Sequence, residues 1–185
     1  MSKLSLDHIR RCFGLSTDFN EIFDAFQQAL ANRLDDFEVY RQLFWNNSLK
    51  PDELCLFGEK IVREFPKLSY DVYVWLARVF EATHASADNY ELAFQYYQKA
   101  AGARPAEPDP YISAADCYEP DLNIPPLIRL IEFLKRGADL VSSPTPVYER
   151  LVHLYDLSGN DEMSMYYRRK LPETPPSPSE DPPQQ

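Results

Sequence analysis

One recurring spacing constrains this chain more than any other feature. Tyr73, Leu76, Ala77 and Phe80 recur as Tyr111, Ala114, Ala115 and Tyr118, and again as Tyr148, Leu151, Val152 and Tyr155. Offsets of three, four and seven residues bring all four side chains onto one face of an α-helix. The copies start at residues 73, 111 and 148, intervals of 38 and 37. A short helix pair that carries such a face cannot bury it alone, so successive copies must stack and share a core.

The stretch from Asp71 to Pro105 contains the best-formed unit. Tyr73, Leu76, Ala77 and Phe80 face inward on its first helical pattern, and Ala93, Tyr97 and Ala100 on its second, which closes at Arg104-Pro105. This pattern resembles the tetratricopeptide (TPR) repeat: an aromatic, a Leu-small pair and a Tyr in helix A, then Ala, aromatic and Ala in helix B, then Pro. The loop over Thr83–Asn89 is about four residues longer than that of the family, and the intervals exceed its period of about 34. The resemblance implies an all-α fold, a right-handed α-α superhelix of stacked antiparallel helix hairpins. It implies about three to four TPR-like repeats with an N-terminal helical extension, or a related helical-repeat superhelix with longer loops.

Taken in order, residues Leu4–Phe13 form an amphipathic pattern that Gly14 interrupts. Asp18 with Glu21 three residues on has the capping-box arrangement, opening a helix expected to run to Leu34. Residues 1–34 are thus read as an N-terminal helical extension or cap, and 35–171 as the TPR-like domain. Within it, Asp35-Asp36 and Pro51 open the two helices of a degenerate first hairpin, Pro51 at the first helical position. Asn47 stands there in place of an aromatic, and Gly58 in place of a large residue. Asp109-Pro110, Pro125-Pro126 and Thr145-Pro146 open later helices, and Pro120 is expected to end the helix begun at Asp109. In the second helix of that unit Leu130, Leu134 and Gly137 match Ala93, Tyr97 and Ala100. Ser158-Gly159-Asn160 turns the chain into a last helix reaching Leu171. From Pro172 six prolines fall in fourteen residues, a composition without core-forming side chains. Residues 172–185 are expected to be a disordered proline-rich tail: a groove ligand, a carrier of Thr174 and Ser177 as phosphorylation sites, or a solubilising terminus.

Composition narrows the classes of function. A formal net charge of −10 disfavours nucleic acid and anionic membranes as partners. No apolar run approaches the ~20 residues of a membrane span, and the N-terminus is too polar for a signal peptide. Cys12, Cys55 and Cys117 are widely spaced, which fits buried thiols in a reducing cytoplasm better than a disulfide or zinc framework. The chain carries no Gly-rich phosphate loop, no H-E-x-x-H and no G-x-S-x-G. His8, His84 and His153 lie far apart, and Asp35-Asp36 and Glu180-Asp181 read as capping and solvated charge. Neither an enzyme nor a cofactor or metal is expected.

The resemblance places helix A residues on the concave side of the stack. One step round from the buried positions lie Val74, Trp75 and Arg78 in the first good repeat. Ile112, Ser113 and Asp116 follow in the second, and Glu149, Arg150 and His153 in the third. Trp75 and Arg78 are residue types that anchor interfaces, although Trp75 equally suits a core position beside the small Ala114 and Ala115. Val74, Ile112, Asp116 and Glu149 leave no room for the Lys-Asn-Arg set by which some TPR domains grip a carboxylate terminus. The expected partner is a protein or peptide, bound as an amphipathic helix or extended strand by an adaptor or scaffold. The alternatives are a self-assembling structural protein, a homodimer through the last helix with Met163, Met165, Tyr166 and Tyr167, or a dedicated secretion-type chaperone.

Overall fold

The computed structural model describes residues 4–83 and 87–172. The proline-rich tail from residue 173, with Thr174 and Ser177, and the middle of the Thr83–Asn89 loop, with His84, lie outside the described residues.

The described residues form ten α-helices. These are α1 (Leu6–Leu15), α2 (Phe19–Ala31), α3 (Phe37–Phe44), α4 (Pro51–Glu64) and α5 (Ser69–Ala82), then α6 (Ala87–Ala103), α7 (Asp109–Asp116), α8 (Leu127–Ala138), α9 (Thr145–Leu157) and α10 (Asp161–Arg168). A 3₁₀ turn over Pro66–Leu68 leads into α5, and among the described residues a lone bridge between Glu119 and Ile124 is the only β pairing. The fold is all-α, built on helix-on-helix packing.

Contacts follow a simple order. α1 packs on α2, α5 on α6, α7 on α8 and α9 on α10. Each of α4, α6 and α8 also packs on the helix that follows it. The odd-numbered helices touch one another as well, α1 against α3, α3 against α5 and α7 against α9. One cluster of buried side chains runs through all of them from Ile9 to Tyr167, so α1 and α2 share the core of the rest.

Most of the repeated spacing is buried, while Tyr73, Tyr118 and Tyr148 are half-buried. Leu76, Ala77 and Phe80 are buried on α5, Tyr111, Ala114 and Ala115 on α7, and Leu151, Val152 and Tyr155 on α9. The second helices contribute Ala93, Tyr97 and Ala100 from α6, and Leu130 and Leu134 from α8.

Helix ends depart from the sequence reading in several places: α8 starts at Leu127, just after Pro125-Pro126, and α10 stops at Arg168, short of Leu171. α1 continues through Gly14 to Leu15. α2 stops at Ala31 because Arg33 takes a left-handed φ of 54°. There Arg33 N–H donates to Leu30 O at 2.9 Å and Leu34 N–H to Ala29 O at 3.0 Å, the bonding that closes a helix at a left-handed residue. α7 ends at Asp116, before Pro120, so Tyr118 falls outside the helix. Glu119 and Ile124 there exchange backbone bonds at 2.8 and 3.3 Å, which draws the chain into a narrow loop. Caps fit the sequence elsewhere. Asp18, Asp36 and Asn160 accept backbone N–H groups at the starts of α2, α3 and α10, while Glu21 instead accepts from Ser16 Oγ at 2.7 Å.

Candidate functional site

An open groove of about 710 Å³ lies on α1, α3 and α5. Arg10, Arg11 and Leu15 come from α1, Arg41 from α3, Trp45 from the residue that ends α3, and Trp75 from α5. These side chains converge because successive odd-numbered helices lie side by side. Gly14 on α1 allows that approach: a Cβ there would stand 3.2 Å from Gln42 Oε1 on α3.

Two tryptophans form the apolar floor. Trp45 meets Trp75 edge-on, with ring centroids 6.2 Å apart and planes at 89°. Phe37 meets Trp75 at 6.0 Å and 72°. The Arg41 guanidinium sits 5.6 Å from the centre of the Trp75 ring, a cation–π contact of about 0.5–1 kcal/mol at a partly exposed site. Trp75 is half-buried, and Trp45 remains 45% exposed. The indole N–H of Trp75 is buried without an acceptor among the described residues, a cost of about 1–3 kcal/mol.

Every charged residue in the lining is an arginine. Arg41 also contacts Glu38, one turn back on its own helix, at 3.1 Å. No ion pair joins Arg10 or Arg11 to a carboxylate among the described residues.

The loop after α3 anchors this end. Asn46 is buried, and its amide donates to Phe13 O at 2.8 Å and Ser16 O at 2.9 Å. Its carbonyl oxygen accepts from Ser48 N–H at 2.9 Å and Ser48 Oγ at 2.6 Å. One side chain thus ties the α1–α2 turn to the α3–α4 turn, with its hydrogen-bonding capacity filled.

The residues singled out from sequence do not converge on one site. Trp75 lies in the groove. Val74, half-buried beside it on α5, and the exposed Arg78, one turn further on, are not in the lining. Asp116 on α7 and Arg150 on α9 meet each other in a two-pronged ion pair, Nε to Oδ1 at 2.7 Å and the second prong at 3.0 Å. That hydrogen bond to Asp116 raises the Arg150 pKa, with desolvation opposing it, so its charge is already committed. Ser113 and Ile112 are half-buried, and Glu149 and His153 are exposed on α9.

Sequence reasoning missed Arg10, Arg11, Arg41 and Trp45, because candidates were taken only from the helices that repeat best. A signal was available: Asp116 and Arg150 are 34 positions apart, and the same interval separates Arg41 from Trp75. Side chains on neighbouring odd-numbered helices come into contact at that interval.

The buried nucleophiles are quiet. Burial pushes the Cys117 thiol up to about 12, helped by the Glu81 and Asp116 carboxylates, and burial also raises Cys12 and Cys55. Tyr97 donates to Glu81 at 2.6 Å inside the core. Among the described residues no group of three or more His, Cys, Asp or Glu is arranged to hold a metal ion, and no helix is long and apolar enough to cross a membrane. No protein-family model and no curated protein matches the chain.

Proposed function

We propose that this chain is a TPR-like interaction module, a right-handed stack of helix hairpins whose odd-numbered helices form the surface that holds a peptide or helix of a partner protein. The observation that carries this reading is the groove across α1, α3 and α5, where Trp45 stays 45% exposed over Trp75 between arginines. Aromatic and arginine side chains in a concave, partly desolvated setting are the types that anchor protein interfaces. The order of helix contacts supports the repeat reading, because α1, α5, α7 and α9 each pack on the helix that follows, and α1 meets α3, α3 meets α5 and α7 meets α9.

Affinity capture from the source lysate tests it, with Trp45→Ala and Arg78→Glu beside the unaltered chain. A protein retained by the unaltered chain and lost with Trp45→Ala supports the groove. A partner held equally by all three removes it.

A second reading, self-association, draws on a different surface. Ile128 on α8 and Met165 and Tyr166 on α10 are exposed, and a concavity on this side is lined by Leu127, Ile128 and Met163. A mass that stays at one chain across high concentrations removes that reading.

A further inference from the structure

We infer that the segment held in the α1–α3–α5 groove is an acidic peptide with an apolar side chain between its carboxylates, which rests on the groove reading above. Charge points to the class of ligand. The chain has 29 acidic residues against 19 Lys and Arg, yet three arginines converge on this groove from two helices and no carboxylate lines it. Arg10 and Arg11 are adjacent on α1, and Arg41 reaches across from α3 to lie over Trp75.

The planar fork of a guanidinium accepts a carboxylate through two parallel hydrogen bonds. Arg10 and Arg11 make no ion pair among the described residues that such a ligand would have to break. The exposed edges of Trp45 and Leu15 offer apolar contact between the charges.

A nucleic acid fits these observations less well. Its charges repeat every few ångströms along a long backbone, and beyond the three arginines it would run over a surface of net negative charge. The Trp75 ring, with Phe37, Trp45 and Arg41 around it, is no open platform for a base.

The chain has two tryptophans, and both line the groove, so tryptophan emission, excited at wavelengths that tyrosine does not absorb, reads this place alone. The test titrates the full chain with a short synthetic peptide that alternates Glu with Leu, its counterpart with Lys for Glu, one with Ser for Glu, and single-stranded oligothymidine. The expected result is saturable change in tryptophan emission with the Glu peptide. Its affinity should fall with added salt and drop about tenfold in R10Q/R11Q/R41Q, the order expected of three partly exposed ion pairs. Circular dichroism melting of that variant checks the fold. Equal binding of the Glu, Ser and Lys peptides overturns the acidic preference and leaves the groove reading standing. Tighter binding of oligothymidine overturns it in favour of nucleic acid. No change with any ligand, in a chain that melts normally, overturns both this inference and the groove reading.

Discussion

Trp45 stands edge-on to Trp75, with ring centroids 6.2 Å apart, and the two are contributed by different helix hairpins. The pair therefore reports whether α3 and α5 lie side by side. The half-buried Trp75 has further aromatic contact with Phe37, whereas Trp45 is 45% exposed.

Removing the two rings should have unequal effects. Trp75→Ala opens space in a packed position and is expected to cost about 3 kcal/mol. Trp45→Ala removes a half-exposed side chain and should cost less than about 1 kcal/mol. Denaturant unfolding followed by circular dichroism measures both. Equal losses would mean that Trp75 is not packed as described.

Asn46 is expected to matter more than its place in a loop suggests. Asn46→Ala leaves Phe13 O and Ser16 O without their shared donor, a loss of about 2 kcal/mol. Asn46→Asp should be worse at neutral pH than in mild acid. The ionised carboxylate faces those two carbonyls with no proton to donate, and protonation restores a donor. Thermal unfolding across pH shows the sign, and a variant equally stable at both values would exclude the clamp.

Three glycines predict three outcomes for substitution by alanine. A Cβ on Gly137 would fall 2.3 Å from the Tyr111 ring, and one on Gly58 would fall 2.4 Å from Leu76 Cδ1. Gly137→Ala is expected to cost about 3 kcal/mol because an aromatic ring must move bodily, and Gly58→Ala somewhat less because a leucine methyl can turn aside. Gly102 meets nothing within 4 Å, so Gly102→Ala in α6 should gain roughly 0.5 kcal/mol from helix propensity. Calorimetric melting ranks the three, and a neutral Gly137→Ala would contradict the α7–α8 packing.

How far these features could be read from sequence follows from their range. The inner residues of α5, α7 and α9 were legible because a period of 3.6 marks one buried face. Prolines at the starts of α4, α7 and α9 were legible because only the first turn tolerates them. Gly58 had no reason in sequence, since its neighbour Leu76 comes from the following hairpin. The end of α2 at Arg33 was hidden because no glycine marks the left-handed residue. The groove was legible only at Trp75. Arg10 and Arg11 looked like the solvated side of an N-terminal cap until the α1–α3 contact brought them opposite Arg41 and Trp75.

Acid should loosen the α9–α10 hairpin as pH falls below 3.8. Asp156 accepts from Ser164 Oγ at 2.5 Å and from Arg168 at 2.6 Å. The hydrogen bond from Ser164, then the Arg168 charge, holds its carboxyl below the ordinary value of 3.8, against some desolvation. A lowered folded-state pKa contributes stability that is present above 3.8 and is lost as pH falls through the folded value. In Asp156→Asn that part of the acid dependence should vanish. Amide exchange of residues 161–168 measured down the acid range checks it, and an unchanged profile in the variant would assign the effect elsewhere.

The account rests on the odd-numbered helices of the N-terminal half as the working surface. Hydrogen–deuterium exchange of the chain with and without its captured partner tests that most directly. The account predicts added protection over residues 6–15, 37–45 and 69–82, which carry the groove. Added protection confined to 127–138 and 161–168, with the first three segments unchanged, would contradict it and move the interface to α8 and α10.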